Sequence, residues 1–244
     1  MSEGRGDPTR ARTGRGCVPF GLVAVYGPSC WLTPLQGGNA FRCFPPGIPL
    51  LRFRSRGTPI FRRRGGVNLD HLKAYVRDVP GYPKPGIVFK DLTPLWKDPA
   101  AFQMMVDALA GHYRSSRVGT IAAIESRGLI LGSAMAFVLK SGLVPVRKAG
   151  KLPWNTVKAS FSLEYGSATS ELHTDAFEPG TRVLIVDDLL ATGGTAEAAI
   201  KLVQELKGEI VGLAFLVELS FLKGRDRLKP YGADVFSLIE YDKP

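Results

Sequence analysis

Val183-Leu184-Ile185-Val186-Asp187-Asp188-Leu189-Leu190-Ala191-Thr192-Gly193-Gly194-Thr195 decides the reading of this chain. Val183 to Val186 are consecutive apolar residues, the pattern of a buried parallel strand. Two carboxylates, Asp187 and Asp188, follow at its carboxyl end. The small residues Ala191 to Thr195 then form a loop that opens a helical pattern, Ala196 to Val203. Such a loop cradles phosphate, because its free N–H groups and the helix dipole both favour an anion. Gly193 and Gly194 let the backbone come close, and Thr192 and Thr195 add hydroxyl donors. An ordinary strand-to-helix turn is the competing reading, but the paired acids make the stretch specific. They would repel a bare anion, so the ligand carries hydroxyls, or a phosphate-bound Mg²⁺, beside its monophosphate. A ribose 5-phosphate fits.

Outside this stretch the 244 residues divide by composition. Residues 1–66 hold eleven arginines, no lysine, and only Glu3 and Asp7 as acids, so they carry +9 of the chain's +10. The basic balance belongs to this extension and not to residues 67–244. Cys17, Cys30 and Cys43 also lie there, evenly spaced and without the paired ligands of a zinc site. The extension shows no helical or strand periodicity, and Pro19, Gly21, Gly27 and Pro28 break its apolar stretch, which argues against a membrane span. Three readings compete: an Arg-rich targeting peptide, a basic arm for nucleic acid, or a leader that is not normally translated. We expect the last. Arg62-Arg63-Arg64-Gly65-Gly66 is compatible with a purine-rich codon run like a bacterial ribosome-binding site, and Val67 with a GTG start.

From residue 67 onward, Asn68 caps an expected helix with Leu69, Leu72, Val76 and Val79 on one face. Pro80 to Gly86 forms a stiff loop, followed by an extended segment, Ile87 to Asp91. Asp98-Pro99 is a cap with proline at the first helical position, for a helix through Tyr113. Strand and helix then alternate: Val118 to Ile124, Leu129 to Lys140, Leu143 to Val146, the Val183 strand, Ala196 to Leu206, Ile210 to Leu219, and Val235 to Ile239. This predicts an α/β fold, a parallel sheet flanked by helices, with ligands at the carboxyl ends of the strands.

Candidate residues fall at those ends. Glu125-Ser126-Arg127-Gly128 follows the first of these strands, and Arg127 offers a planar fork for phosphate oxygens. A plain helix cap with a surface arginine is the alternative. Arg147-Lys148-Ala149-Gly150-Lys151 follows the next strand and suits a pyrophosphate, or else is a solvated loop. The long insertion from Lys148 to Pro179 contains Phe161, Leu163 and Tyr165 in alternation. That suggests a small hairpin with Ser167 to Ser170 at its tip.

The run Val186 to Thr195 resembles the phosphoribosyl pyrophosphate motif of type I phosphoribosyltransferases, and its wording is closest to the adenine phosphoribosyltransferases. The resemblance covers nearly all of residues 68–241, with four motifs in family order. It implies a Rossmann-like core with a mobile hood or flexible-loop insertion. It implies transfer of the 5-phosphoribosyl group from phosphoribosyl pyrophosphate to adenine, giving AMP and pyrophosphate. The 5-phosphate then belongs to Ala191, Thr192, Gly193, Gly194 and Thr195, and the ribose hydroxyls to Asp187 and Asp188. The pyrophosphate belongs to Arg127, Arg147, Lys148, Lys151 and Tyr165. Glu164 is placed near base and ribose, as proton acceptor or as a stabilising charge. Val88, Phe89 and Lys90 form the adenine pocket, read by backbone at Val88 and Lys90 and by stacking at Phe89, with Leu219 as the far wall. Many relatives have Arg where this chain has Lys90. Core packing is the plainer reading of Phe89 and Leu219.

The resemblance further implies Mg²⁺ held mainly by the substrate with no direct protein ligand, and a homodimer whose basic loop lies close to the partner's site. A cytoplasmic protein with no membrane partner and no nucleic-acid partner is expected. Two rivals are a phosphoribosyltransferase for another purine base and a phosphoribosyl-pyrophosphate-sensing transcriptional regulator. The second would need a helical DNA-binding module, which residues 1–66 do not show.

Overall fold

The computed structural model describes residues 31–34, 41–44, 70–162 and 167–244. The chain divides into two units, Met1–Arg63 and Arg64–Pro244. In the first unit β1 (Trp31–Pro34) pairs antiparallel with β2 (Phe41–Phe44), with Trp31 opposite Phe44. These two short strands run against the expectation of no strand structure there. Each is too short for alternation to stand out among the prolines.

The second unit opens with α1 (Asp70–Lys73), which is much shorter than expected. Its pattern breaks because Arg77–Pro80 forms β3, paired antiparallel with β4 (Val88–Asp91) through Arg77↔Asp91 and Pro80↔Val88. Val79 therefore sits opposite Phe89 in a ribbon and not on a helix. Asp91 also starts the next element, accepting from Thr93 N at 3.0 Å. Helices α2 (Thr93–Lys97) and α3 (Pro99–Tyr113) follow, and Asp98 caps α3 by accepting from Ala101 N at 2.8 Å, as the Asp-Pro pair predicts.

β5 (Thr120–Ile124), α4 (Arg127–Leu139), β6 (Gly142–Lys148), β7 (Thr156–Ser162), β8 (Ser167–His173), β9 (Arg182–Leu190), α5 (Gly194–Glu205), β10 (Glu209–Leu219), α6 (Gly224–Leu228) and β11 (Val235–Tyr241) complete the chain. One seven-stranded sheet runs β11-β10-β9-β5-β6-β8-β7. Its first four pairings are parallel, and β8 and β7 extend it as an antiparallel hairpin. The sheet is therefore parallel at its centre and mixed at one edge. The apolar run of β9 serves both faces, because successive side chains point to opposite sides. Leu184 and Val186 join a core with Met105, Leu109 and Met135, whereas Val183 and Ile185 join one with Ile200, Val203 and Phe215. Among the described residues no helix is long and apolar enough to cross a membrane.

Candidate functional site

β9 runs four residues beyond Val186, so Asp187 and Asp188 lie inside the strand and not after it. Their availability comes from a neighbour that stops early. The last β5–β9 pair is Ala123↔Val186, while β10 continues alongside β9 through Glu218↔Leu190. Past Val186 one flank of β9 faces the start of α4 in place of a strand. Gly128 makes that approach possible: a Cβ there would stand 2.8 Å from Asp187 Oδ1 and 2.9 Å from Val186 O.

Asp187 Oδ1 accepts from Asp188 N at 2.8 Å. Burial, together with the charge of Asp188, pushes the Asp187 carboxyl well above the ordinary range. Burial also raises Asp188, against the pull of the Arg127 guanidinium. Arg127 Nε stands 2.8 Å from Asp188 Oδ2, yet that buried oxygen has no hydrogen-bond partner of good geometry. It is an acceptor poised for a further donor. Among the described residues no group of three or more His, Cys, Asp or Glu could hold a metal. The two carboxylates suit a cation only if a ligand supplies the remaining oxygens.

The loop Ala191–Thr195 lines a hollow together with Asp187, Leu189, Leu190 and Ala196. Gly193 is the N-cap of α5 at φ 80°, a conformation that favours glycine. Glu197 lies in the first turn of α5, where an acid would otherwise oppose a bound anion. It is neutralised by Lys201 Nζ at 2.8 Å and Arg227 Nε at 2.5 Å, and it accepts from Tyr231 OH at 2.9 Å. The Lys201 hydrogen bond leads, with burial opposing it and Arg227 and Tyr231 adding, so the Glu197 carboxyl is held down to about 2.

Beyond β5, Glu125 receives Arg147 Nε at 2.7 Å and Lys151 Nζ at 2.9 Å, and its side chain is 7% exposed. Burial alone would raise its carboxyl, but the hydrogen bonds from Lys151 and Arg147 hold it below the ordinary value. Two of the basic-loop cations thus converge on one acid, while Lys148 is exposed. The loop itself is shaped by Glu171, which is 2% exposed and accepts from Lys151 N and Leu152 N, each at 2.9 Å. Glu171 stands opposite Arg147 in the β6–β8 ladder. Nothing in the local sequence marked it beyond its place in the insertion.

The hairpin differs from expectation. Ser162 pairs with Ser167, so Ser167 to Ser170 lie within β8 and the connection is 163–166. Ser160 and Thr169 face each other at 2.9 Å, which puts both hydroxyls on one side of the ladder. Glu164 and Tyr165 lie outside the described residues.

On β4, Phe89 and Lys90 point to opposite sides, as a strand requires. The Arg127 guanidinium carbon lies 5.0 Å from the Phe89 ring centroid, and Tyr82 meets that ring edge-on at 5.2 Å. Lys90 is buried, with Nζ 2.9 Å from Asp78 Oδ1 and 4.4 Å from the Tyr241 ring centroid. Leu219 ends β10 opposite Tyr241. Arg127 therefore links Phe89 to Asp188, and Tyr241 links Lys90 to Leu219.

This chain is similar to characterised proteins over most of the second unit. The phosphoribosyl transferase domain model matches residues 97–243. An adenine phosphoribosyltransferase of Acidobacterium capsulatum is 55% identical over 177 residues, covering 72% of this chain and 97% of that protein. One of Koribacter versatilis is 52% identical over 174 residues, covering 71% of this chain and 94% of that protein. The solved adenine phosphoribosyltransferase of Rhodothermus marinus is 49% identical with a TM-score of 0.68, covering 71% of this chain and 98% of that one. The Saccharomyces cerevisiae enzyme, solved with an imino-altritol bisphosphate and adenine, is 41% identical with a TM-score of 0.66, covering 70% and 97%.

Proposed function

The chain belongs to the adenine phosphoribosyltransferase family, and on that premise we propose how its residues divide the reaction. It transfers the 5-phosphoribosyl group from phosphoribosyl pyrophosphate to adenine, giving AMP and pyrophosphate, a purine-salvage reaction. The observation that supports the division of labour best is the position of Arg127, between the Phe89 ring and Asp188. It puts a base-stacking surface, a cation and the ribose-facing acids within one side chain's reach.

In this reading the ribose 5-phosphate lies on the N–H groups of Ala191 to Thr195 at the start of α5. Asp187 and Asp188 accept from the ribose hydroxyls, and Asp188 Oδ2 has the capacity to do so. As the C1–O bond to pyrophosphate breaks, positive charge develops on the ribose ring and the two carboxylates stabilise it. The electron pair leaves with pyrophosphate, towards Arg127, Arg147, Lys148, Lys151 and Tyr165. Adenine N9 attacks C1 while the base lies on Phe89, read by the backbone at Val88 and Lys90 and bounded by Leu219. The Lys90 side chain is already committed to Asp78, which favours a backbone role. The N9 proton departs towards Glu164, as acceptor or as a stabilising charge. A Mg²⁺ ion held mainly by the oxygens of phosphoribosyl pyrophosphate, with no direct protein ligand, would neutralise their charge. The hairpin β7–β8 serves as the base of a hood that keeps water from the ribosyl cation.

The working form in this reading is a homodimer in the cytoplasm. A dimer is supported by α4, where Phe137 is 88% exposed and Ile130 44%, an apolar pair separated by two turns on one helix face. Residues 1–66 carry none of the residues assigned here and are dispensable for the reaction. A pyrophosphate-release assay on the full chain and on residues 67–244, offering adenine, hypoxanthine, guanine and xanthine, tests the whole reading. Equal, adenine-selective turnover is expected. Turnover of another base would overturn the pocket, and loss of turnover without residues 1–66 would overturn their dispensability.

A further inference from the structure

The phosphate loop does not stand alone, and what braces it is the short helix α6. Gly193 and Gly224 touch through their backbones. A Cβ on Gly224 would stand 2.1 Å from Ala191 O and 3.0 Å from Gly193 N, and a Cβ on Gly193 would stand 2.7 Å from Gly224 O. No side chain fits between loop and helix, so a shift of α6 is a shift of the loop. The helix is tied down on two sides. Arg225 grips the buried Glu218 of β10 in a bidentate pair, Nε to Oε1 at 3.0 Å and Nη2 to Oε2 at 2.5 Å, and donates to Val235 O at 2.6 Å. Ser237 of β11 completes the grip by donating to Glu218 Oε2 at 2.6 Å. Arg227 ties the other side to Glu197, in the first turn of the helix that the loop opens.

We propose that α6 is a positioning element for the 5-phosphate, with Gly224 as its contact and Arg225 and Arg227 as its anchors. Arg227 has a second task. Together with Lys201 it neutralises Glu197, offsetting a resident negative charge one turn from the place where the phosphate sits. The inference rests on the phosphate reading of Ala191 to Thr195 given above. It makes none of these residues catalytic, since each acts through the loop.

The test is binding of ribose 5-phosphate by titration calorimetry, with KM for phosphoribosyl pyrophosphate, KM for adenine, kcat and the melting temperature, on the full chain. Gly224→Ala and Arg227→Met should each weaken ribose 5-phosphate and raise KM for phosphoribosyl pyrophosphate about tenfold, the equivalent of one charge-assisted hydrogen bond. KM for adenine should stay put, and kcat at saturation should fall by less than KM rises. Arg227→Lys should recover most of the affinity. Adding Glu197→Gln to Arg227→Met should recover the electrostatic part, which a purely mechanical brace would not return. Folded Gly224→Ala and Arg227→Met proteins that bind ribose 5-phosphate within about twofold of the parent, no more than a single surface ion pair contributes, would overturn the inference. Should Gly224→Ala fail to fold, the three Arg227 variants decide alone. Gly193→Val separates the two readings: if it too leaves ribose 5-phosphate binding intact, the phosphate lies elsewhere and the proposed site is what fails.

Discussion

Arg127 Nε sits 2.8 Å from Asp188 Oδ2 without making a well-aligned hydrogen bond to it. The same guanidinium lies 5.0 Å from the Phe89 ring centroid. One flat cation is thus shared between a buried acid and an aromatic face, and it fully satisfies neither. Arg127→Ala should lower kcat/KM by roughly a hundredfold or more, the scale for losing one charge-stabilising donor at a reacting centre. Arg127→Lys should recover only part, because an ammonium keeps the charge and loses the planar face. Steady-state kinetics with both variants check this, and full recovery by lysine would show that charge alone matters.

Asp187 and Asp188 carry the next prediction. Asp187→Asn and Asp188→Asn should each weaken catalysis more than adenine binding, read as kcat against the adenine dissociation constant. Both carboxyls are raised by burial, so protons bind more tightly in the folded protein than in the unfolded chain. Their ionisation therefore costs stability: the cost is full above the folded value, shrinks as pH falls below it, and is gone below the unfolded-state value. Activity should decline on acidification at a pH above the ordinary carboxylate range. Asp187→Asn should raise the melting temperature at neutral pH while lowering turnover. A variant that is both less active and less stable at neutral pH would contradict the buried-charge account.

Gly128 is predicted to tolerate no side chain. A Cβ would meet Asp187 Oδ1 at 2.8 Å and Val186 O at 2.9 Å, so Gly128→Ala must push α4 off β9. A loss of about 1–3 kcal/mol in denaturant unfolding is expected, with turnover falling further than stability because the acids move.

Glu171 should behave as the keel of the basic loop. Burial works against its charge, but the backbone N–H groups of the loop, led by Leu152, hold its carboxyl below the ordinary value. Glu171→Gln should raise KM for phosphoribosyl pyrophosphate severalfold with little change in KM for adenine, since an amide accepts those N–H groups less strongly. An equal rise in both would assign Glu171 to general folding.

The strand, small-residue loop and helix across residues 183–205 were legible in the sequence because they are contiguous, although the strand runs on past the acids to Leu190. Asp98-Pro99 worked for the same reason: a cap acts within one turn. The ribbon β3–β4 was hidden because Leu69, Leu72, Val76 and Val79 fit a helical spacing, and only pairing with a segment beyond Pro80 to Gly86 shows that Val79 belongs to a strand. The hairpin tip was misplaced because Ser167 to Ser170 have the composition of a turn, whereas register with Ala159 to Ser162 makes them strand. Glu171, Gly224 and Arg227 act through partners 20, 33 and 30 positions away respectively, at Lys151, Ala191 and Glu197. No local pattern announces such contacts.

The alternation on β4 separates two jobs that adjoin in the chain. Phe89 turns towards Arg127, and Lys90 turns the other way into Asp78 and Tyr241. Drift between lysine and arginine at position 90 can therefore proceed behind the ribbon, judged only by how well the cation fits its acid and its ring. On the proposed assignment such drift leaves the side-chain surface offered to the base unchanged. The side chain that meets the base on that assignment is Phe89, on the odd-numbered side of the strand, and a comparison of relatives that weighs both side chains equally would count anchoring as recognition.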